Sequence, residues 1–258
     1  MTAELLVERQ GPVAVIKLNR PDSLNTFTHD LRIQLMRALA DVEKDESAGA
    51  VVLTGNGRGF SAGAELKDEF ISGAEVERVL NEEYGPSLRA IANMPKPVIA
   101  AVNGFASGIG GSFALACDLL VMGEQAFLQV PFAKLGLIPD GGSSCLLRDR
   151  IGHRRAFELA MSAERLPAAR CVEWGLANRA VPDERVLEEA VAWATLLCDA
   201  APLAVRYTKQ LLRGVQAGGF ETALREEARL QAICIDSNDF NEGVTAFREK
   251  RAPKFTGR

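Results

Sequence analysis

Two places in the 258-residue sequence run an apolar segment straight into a glycine-rich loop. The first is Val51-Val52-Leu53-Thr54-Gly55, continued by Phe60-Ser61-Ala62-Gly63-Ala64. The second is Ala100-Ala101-Val102-Asn103-Gly104, continued by Gly108-Ile109-Gly110-Gly111. Such a loop has no bulky side chains, so a ligand can approach the backbone. A helix that starts there offers N–H groups without an intrahelical acceptor. Two of these loops converging on one oxygen would stabilise negative charge developing there. The same pattern also fits a nucleotide-phosphate loop or close backbone packing. No GxxxxGKS/T is present, and Gly108-Ile109-Gly110 lacks the third glycine of a dinucleotide fingerprint.

Other reactive side chains are sparse. Cys117, Cys145, Cys171, Cys198 and Cys234 form no CxxC pair, so neither a disulfide framework nor a zinc site of ordinary spacing is expected. The thiols read as small apolar side chains. His29 falls in the first turn of an expected helix and His153 in the polar run Gly152-His153-Arg154-Arg155, and both read as structural. Locally, Pro139-Asp140-Gly141-Gly142 reads as a β-turn. Glu65, Asp68 and Glu69 follow the first loop and would favour a helix N-terminus or face solvent.

Several elements must position these loops. Alternating segments Glu4–Arg9 and Val13–Leu18 flank Gly11-Pro12 and predict a hairpin. Thr28 caps a helix with Leu31, Leu35, Ala38, Leu39 and Val42 on one face. Strands are expected at Ala50–Leu53 and Val98–Val102, with a helical stretch from about Ala74 to Ala92 between them. A short helix after the second loop leads into a strand at Leu119–Met122. This alternation argues for an α/β core. From Gly142 onward nearly everything has helical period, including the face Leu203, Tyr207, Leu211 on a helix begun by Pro202. Asp239 and Glu242 are spaced as a capping box for the last helix. Trp174 and Trp193 fall in expected helices and read as packing.

Composition bounds the class. Hydrophobic residues make up 47% and charged residues 25%, the balance of a soluble globular protein. No run reaches the length needed to span a bilayer, and Met-Thr-Ala-Glu at the start does not resemble a signal peptide, so a cytoplasmic location is expected. A net charge of −4 argues against a nucleic-acid partner. The basic tail residues Arg248, Lys250, Arg251, Lys254 and Arg258 would, on composition alone, form a solvated helix end.

In combination the motifs are more specific. Val15-Ile16-Lys17-Leu18-Asn19-Arg20-Pro21 and Phe60-Ser61-Ala62-Gly63-Ala64-Glu65-Leu66 resemble the opening strand and first oxyanion loop of the crotonase (enoyl-CoA hydratase/isomerase) family. Pro97-Val98-Ile99-Ala100-Ala101-Val102-Asn103-Gly104, with Gly108-Ile109-Gly110-Gly111 and Cys117-Asp118, is similar to its second. Leu135-Gly136-Leu137-Ile138-Pro139-Asp140-Gly141-Gly142 and Phe247-Arg248-Glu249-Lys250-Arg251-Ala252-Pro253-Lys254-Phe255 match in order.

The resemblance implies a ββα spiral core over 1–195 holding a CoA-thioester site. It also implies a helical region over 196–258 for assembly as a homotrimer or hexamer. Coenzyme A would be part of the substrate, and no separate cofactor, metal or membrane partner is expected. The backbone N–H groups of Ala64 and Ile109 would hold the thioester oxygen, each such donor being worth roughly 2.7–4 kcal/mol. The family usually carries glycine where this chain has Ile109, but a main-chain donor survives the change. Leu24, Ala62, Gly63, Gly108, Gly110 and Phe132 would flank the CoA and acyl groups, and Lys250 would contact phosphate. Hydratases of the family use two glutamates. Here the first position holds Ser112 and the second falls at Val130-Pro131-Phe132. Asp140 is the remaining acid, in the loop where family isomerases carry theirs, among Phe132, Leu135, Leu137 and Ile138, which would raise its pKa. The expected activity is an enoyl-CoA isomerase. The rivals are a hydratase using Asp140 with a differently held water, and an RNA-binding relative. The latter would want a lysine-rich helix, whereas Asp30–Lys44 alternates in sign.

Overall fold

The computed structural model describes residues 3–65, 72–214 and 219–258. The expected hairpin forms, with β1 (Leu5–Gln10) antiparallel to β2 (Val13–Leu18). Thr28 caps α1 (His29–Lys44), its Oγ1 accepting from the Leu31 N–H at 3.1 Å. Next come β3 (Ala50–Gly55), α2 (Gly73–Val79), one π-helical turn over Leu80–Tyr84 and α3 (Gly85–Asn93). After β4 (Val98–Val102) the chain forms β5 (Phe105–Ser107), α4 (Ile109–Ala116), β6 (Leu119–Gly123) and β7 (Phe127–Gln129). It continues through α5 (Ser143–Ser162), broken at Gly152, then β8 (Arg165–Pro167), α6 (Ala168–Glu173), β9 (Arg179–Val181) and α7 (Val186–Cys198). The last helices are α8 (Pro202–Gly214), α9 (Gly219–Ile235) and α10 (Asn238–Glu249).

The main sheet has the order β1-β2-β3-β4-β6-β9 and is parallel from β2 onward. Its inner strands are apolar on both faces, as parallel strands covered on both sides must be. Val13, Val15, Ala50, Val52, Ile99 and Ala101 meet Val186, Ala190 and Ala194 of α7. The alternate positions Ile16, Leu18, Val51, Leu53 and Val102 join Leu31, Leu35 and Leu39 of α1 in the larger core. A second sheet, β5-β7-β8, stands beside it. From β4 onward successive ββα turns give one strand to each sheet, which is the ββα spiral that the resemblance implied.

Several details depart from expectation. The second glycine loop contains β5. The mostly helical second half contains β8 and β9, three-residue strands whose pairing with β7 and β6 is tertiary and leaves little local pattern. The 195/196 division falls inside α7, while the helices that leave the sheet begin at Pro202. Asp239 and Glu242 do not form a capping box. Ser237 caps α10 through the Phe240 N–H, Asp239 accepts from the N–H groups of Thr256 and Gly257, and Glu242 pairs with Arg251. The C-terminal helices are fastened to the core by Lys209, which donates to Ile91 O and Lys96 O and pairs with Asp118 at 2.7 Å. Among the described residues no helix is long and apolar enough to cross a membrane.

Candidate active site

The first glycine loop is bound to the left-handed turn that follows β2. Leu24 and Asn25 have φ of 57° and 54°. Leu24 O accepts from the Ala62 N–H at 3.0 Å, and Asn25 O from Ser61 Oγ at 2.7 Å. Phe27 N–H then donates to Gly63 O at 2.8 Å and Glu65 N–H to Phe27 O at 3.1 Å. Successive N–H groups of an extended segment point opposite ways, so the N–H of Ala64 faces away from Phe27. Among the described residues of this loop, extended pairing orients the donor.

The second donor does come from a helix. Ile109 is the first residue of α4, where the N–H has no intrahelical acceptor. Among the described residues nothing accepts from the N–H of either Ala64 or Ile109. The two loops touch at Gly63, whose φ is +106°. A Cβ there would stand 3.0 Å from Ser107 O and 3.7 Å from the Ile109 nitrogen, so a larger residue would push the donors apart.

Ala64 and Ile109 both line a cavity of about 450 Å³, together with Ala62, Gly63, Gly108 and Phe132. Asp140 lines it as well. Its carbonyl accepts from Ser112 Oγ at 3.0 Å and from Ser143 Oγ at 2.7 Å, which fixes the loop to α4 and α5. The carboxyl is left over: Oδ1 is buried without a hydrogen-bond partner, and burial pushes the group up from 3.8 to about 6. Leu135 and Leu137 share the lining, whereas Ile138 is 81% exposed and does not reach it. Ser112, standing where a hydratase would carry its first glutamate, therefore holds the backbone of the one acid among the described lining residues.

Other expected residues lie elsewhere. Gly110 packs against Ser61 beneath the loop and does not line the cavity. Leu24 acts on the lining only through its bond to Ala62. Lys250 is exposed, ends α10 with φ of +56°, and is not part of the lining. Glu65 is half-buried. It accepts from Thr26 Oγ1 at 3.1 Å and lies 3.6 Å from Arg20. Asp68, Glu69 and Phe70 lie outside the described residues.

The acyl lining was expected between Phe70 and Tyr84 and at Phe132, without side-chain positions, and Tyr84 is among the residues that line this cavity. Its side chain is 2% exposed, its Oη has no hydrogen-bond partner, and burial pushes it up to about 12 against the pull of Arg32. The available signal was Gly85-Pro86 inside a helical pattern. Proline has no N–H and crowds the carbonyl four residues back, so the ladder must shift. Here Gly85 N–H reaches Leu80 O, five residues back. A larger groove of about 900 Å³, lined by Leu203, Tyr207 and Leu211 with Leu224, Phe240 and Phe247, lies among α8, α9 and α10. Its one aspartate, Asp239, is bonded to the tail.

The family model for enoyl-CoA hydratase/isomerase matches residues 8–258. The chain belongs to that family. An enoyl-CoA hydratase/isomerase relative from Escherichia coli, 1,2-epoxyphenylacetyl-CoA isomerase, is 37% identical over 254 residues, covering 95% of each chain. A probable enoyl-CoA hydratase of Rhodobacter capsulatus is 39% identical over 246 residues, again with 95% of each covered. The solved enoyl-CoA hydratase of Bacillus anthracis superposes with a TM-score of 0.95 at 31% identity, covering 99% of this chain and 100% of that one. Enoyl-CoA hydratases and isomerases thus surround this enzyme, and the crotonase fold is common to them.

Proposed function

We propose that this member of the family is an enoyl-CoA isomerase, which shifts a double bond or rearranges an unsaturated acyl-CoA through a dienolate. The observation that supports it most is that Asp140, whose Oδ1 is buried without a hydrogen-bond partner, lines the same cavity as two free backbone N–H donors. The thioester oxygen of a β,γ-unsaturated acyl-CoA accepts from Ala64 and Ile109. Asp140, as carboxylate, takes the α-proton, and the electron pair spreads from the oxygen to the γ-carbon. The protonated Asp140 then returns that proton to the γ-carbon, leaving the double bond conjugated with the thioester. One acid suffices because the two carbons lie on one side of a planar dienolate. Its raised pKa of about 6 suits a group that must both take and give a proton near neutrality.

A hydratase reading draws on the names of the relatives, including 2,3-dehydroadipyl-CoA hydratase of Escherichia coli at 34% identity. Water addition needs one group to activate water and another to protonate carbon. The positions of the usual pair hold Ser112 and Val130-Pro131-Phe132. Offering the protein 3-hexenoyl-CoA and crotonyl-CoA separates the readings: the isomerase gains conjugated absorbance from the first and leaves the second. Rapid loss of crotonyl-CoA absorbance with 3-hexenoyl-CoA untouched would replace isomerase by hydratase. For assembly, the apolar groove among α8, α9 and α10, with Phe247 84% exposed beside it, supports a trimer or hexamer. Sedimentation velocity reads that directly.

A further inference from the structure

The isomerase reading needs Asp140 at a fixed separation from the Ile109 N–H, because the carboxylate must reach the α-carbon while the thioester oxygen stays on its donor. The two groups come from different elements. Ile109 opens α4, and Asp140 lies in the loop before α5. That loop has little of its own to hold it. Residues 134–138 are exposed, and Gly141 and Gly142 follow with φ of +58° and +79°. Asp140 is tied locally by Ser143, which donates to its carbonyl through the N–H at 3.0 Å as well as through Oγ. Those bonds join the loop to α5 and do not fix where α4 lies.

Ser112 supplies the cross-link. It is 1% exposed and stands three residues after Ile109, on the same face of α4. A helical serine commonly turns its hydroxyl back to the carbonyl four residues before it. Here that carbonyl, Gly108 O, is 3.4 Å away, whereas Asp140 O is at 3.0 Å. Among the described residues this is the one hydrogen bond between α4 and Asp140. Gly141 is pressed against the side chains of both Ile109 and Ser112, with no room for a Cβ. Towards the far end of α4, Arg150 of α5 donates to Leu115 O at 3.1 Å, so the two helices remain joined without Ser112.

We propose that Ser112 is a positioning residue for the base: acting through the Asp140 carbonyl, its hydroxyl sets where the carboxyl stands relative to the Ile109 N–H. The proposal rests on the isomerase reading, in which Asp140 takes the α-proton. Ser112 is not part of the cavity lining, so its effect passes through Asp140. The same bond keeps the carboxyl where burial raises its pKa. A loop free to drift toward solvent would let the group return toward its ordinary value.

Ser112→Ala removes the hydroxyl without leaving a buried group unpaired, since Asp140 O keeps both donors of Ser143, and alanine favours the helix. Two double-mutant comparisons with Asp140→Asn separate positioning from a purely structural role. The first needs no turnover. At pH 7.5 Asp140→Asn should melt above wild type. Made in Ser112→Ala it should bring little or no gain, because the carboxyl has already relaxed toward water. The second is kinetic. Ser112→Ala should lower kcat for 3-hexenoyl-CoA by about tenfold or more while KM stays within about twofold. It should also move the acid limb of the pH–rate profile below its wild-type midpoint of about 6. In Asp140→Asn the same substitution should change turnover by less than about twofold. An undiminished melting gain, an unmoved acid limb, or an equal loss of turnover in both backgrounds would overturn the proposal. Failure of the isomerase reading shows separately, as 3-hexenoyl-CoA left untouched by wild type, and the melting comparison then still decides what Ser112 does to Asp140.

Discussion

Asp140→Asn separates what Asp140 does for chemistry from what it costs the fold. Raising a carboxyl from 3.8 to about 6 corresponds to about 3 kcal/mol of disfavoured ionisation. Partial contact with water and the burial of an unbonded amide in the variant reduce the net gain to about 1–2 kcal/mol, or roughly 2–8 °C in melting temperature. The sign follows from linkage. A pKa raised by folding gives stability that is complete below 3.8 and lost as pH rises through about 6. Asparagine does not titrate. The variant should therefore melt above wild type at pH 7.5, and this advantage should vanish near pH 4. Isomerisation of 3-hexenoyl-CoA should meanwhile fall by about 10² or more, the usual worth of a positioned acid/base. In wild type, kcat/KM should drop about tenfold from pH 7 to pH 5, whereas a carboxyl of ordinary pKa would lose less than about a tenth. Paired melts at the two pH values, with a pH–rate profile, measure all of this. A variant that is less stable at pH 7.5 refutes the cost of the buried carboxyl, and one that exchanges the α-proton of the substrate in deuterated water at the wild-type rate refutes its role as base.

Three further outcomes test the frame around it. Ala64→Pro deletes one N–H donor and should lower turnover at least about a hundredfold in a protein whose circular dichroism is unchanged; near-normal turnover would put the oxyanion elsewhere. Gly141→Ala sets a Cβ 2.5 Å from Ile109 Cδ1 and 2.7 Å from Ser112 Cβ at a φ of +58°. It should cost about 2–4 kcal/mol in denaturant unfolding and most of the activity, and a silent substitution would mean that the Asp140 loop is not clamped to α4. If Lys250 contacts CoA phosphate, Lys250→Ala should raise KM while kcat holds, and a KM unchanged at both low and high salt would return it to the surface.

The parts of this protein that could be read from sequence are those whose cause is local. Thr28 caps α1 because its hydroxyl reaches an N–H three residues on, and Val98–Val102 is a strand because an apolar run lies between proline and glycine. The two glycine loops were legible as motifs and the family resemblance pointed to the N–H groups of Ala64 and Ile109, although only the pairing of Phe27 with Gly63 and Glu65 explains where the Ala64 N–H points. The three-residue strands β8 and β9 were not legible, since their partners lie far away in the chain. Asp239 deceived the pattern because its acceptors are used by Thr256 and Gly257, which sequence spacing does not connect to it. For Asp140 the turn tetrapeptide and the perturbed acid are both real: the backbone makes the loop, and burial in that loop leaves Oδ1 unpartnered and outweighs the backbone hydrogen bond that lowers the carboxyl's pKa.

The π-turn at Leu80–Tyr84 has an evolutionary consequence. A π-turn is one residue wider than the α-helix it interrupts, and each residue advances a helix by about 100°. Losing a single codon in this stretch would let the helix close to ordinary geometry and swing the phenol about a quarter-turn off its present bearing, with no lining residue substituted. Gaining the codon would do the reverse. Descendants of this gene can therefore reshape the lining of this cavity by a change in length, and comparisons that count only substitutions would overlook it.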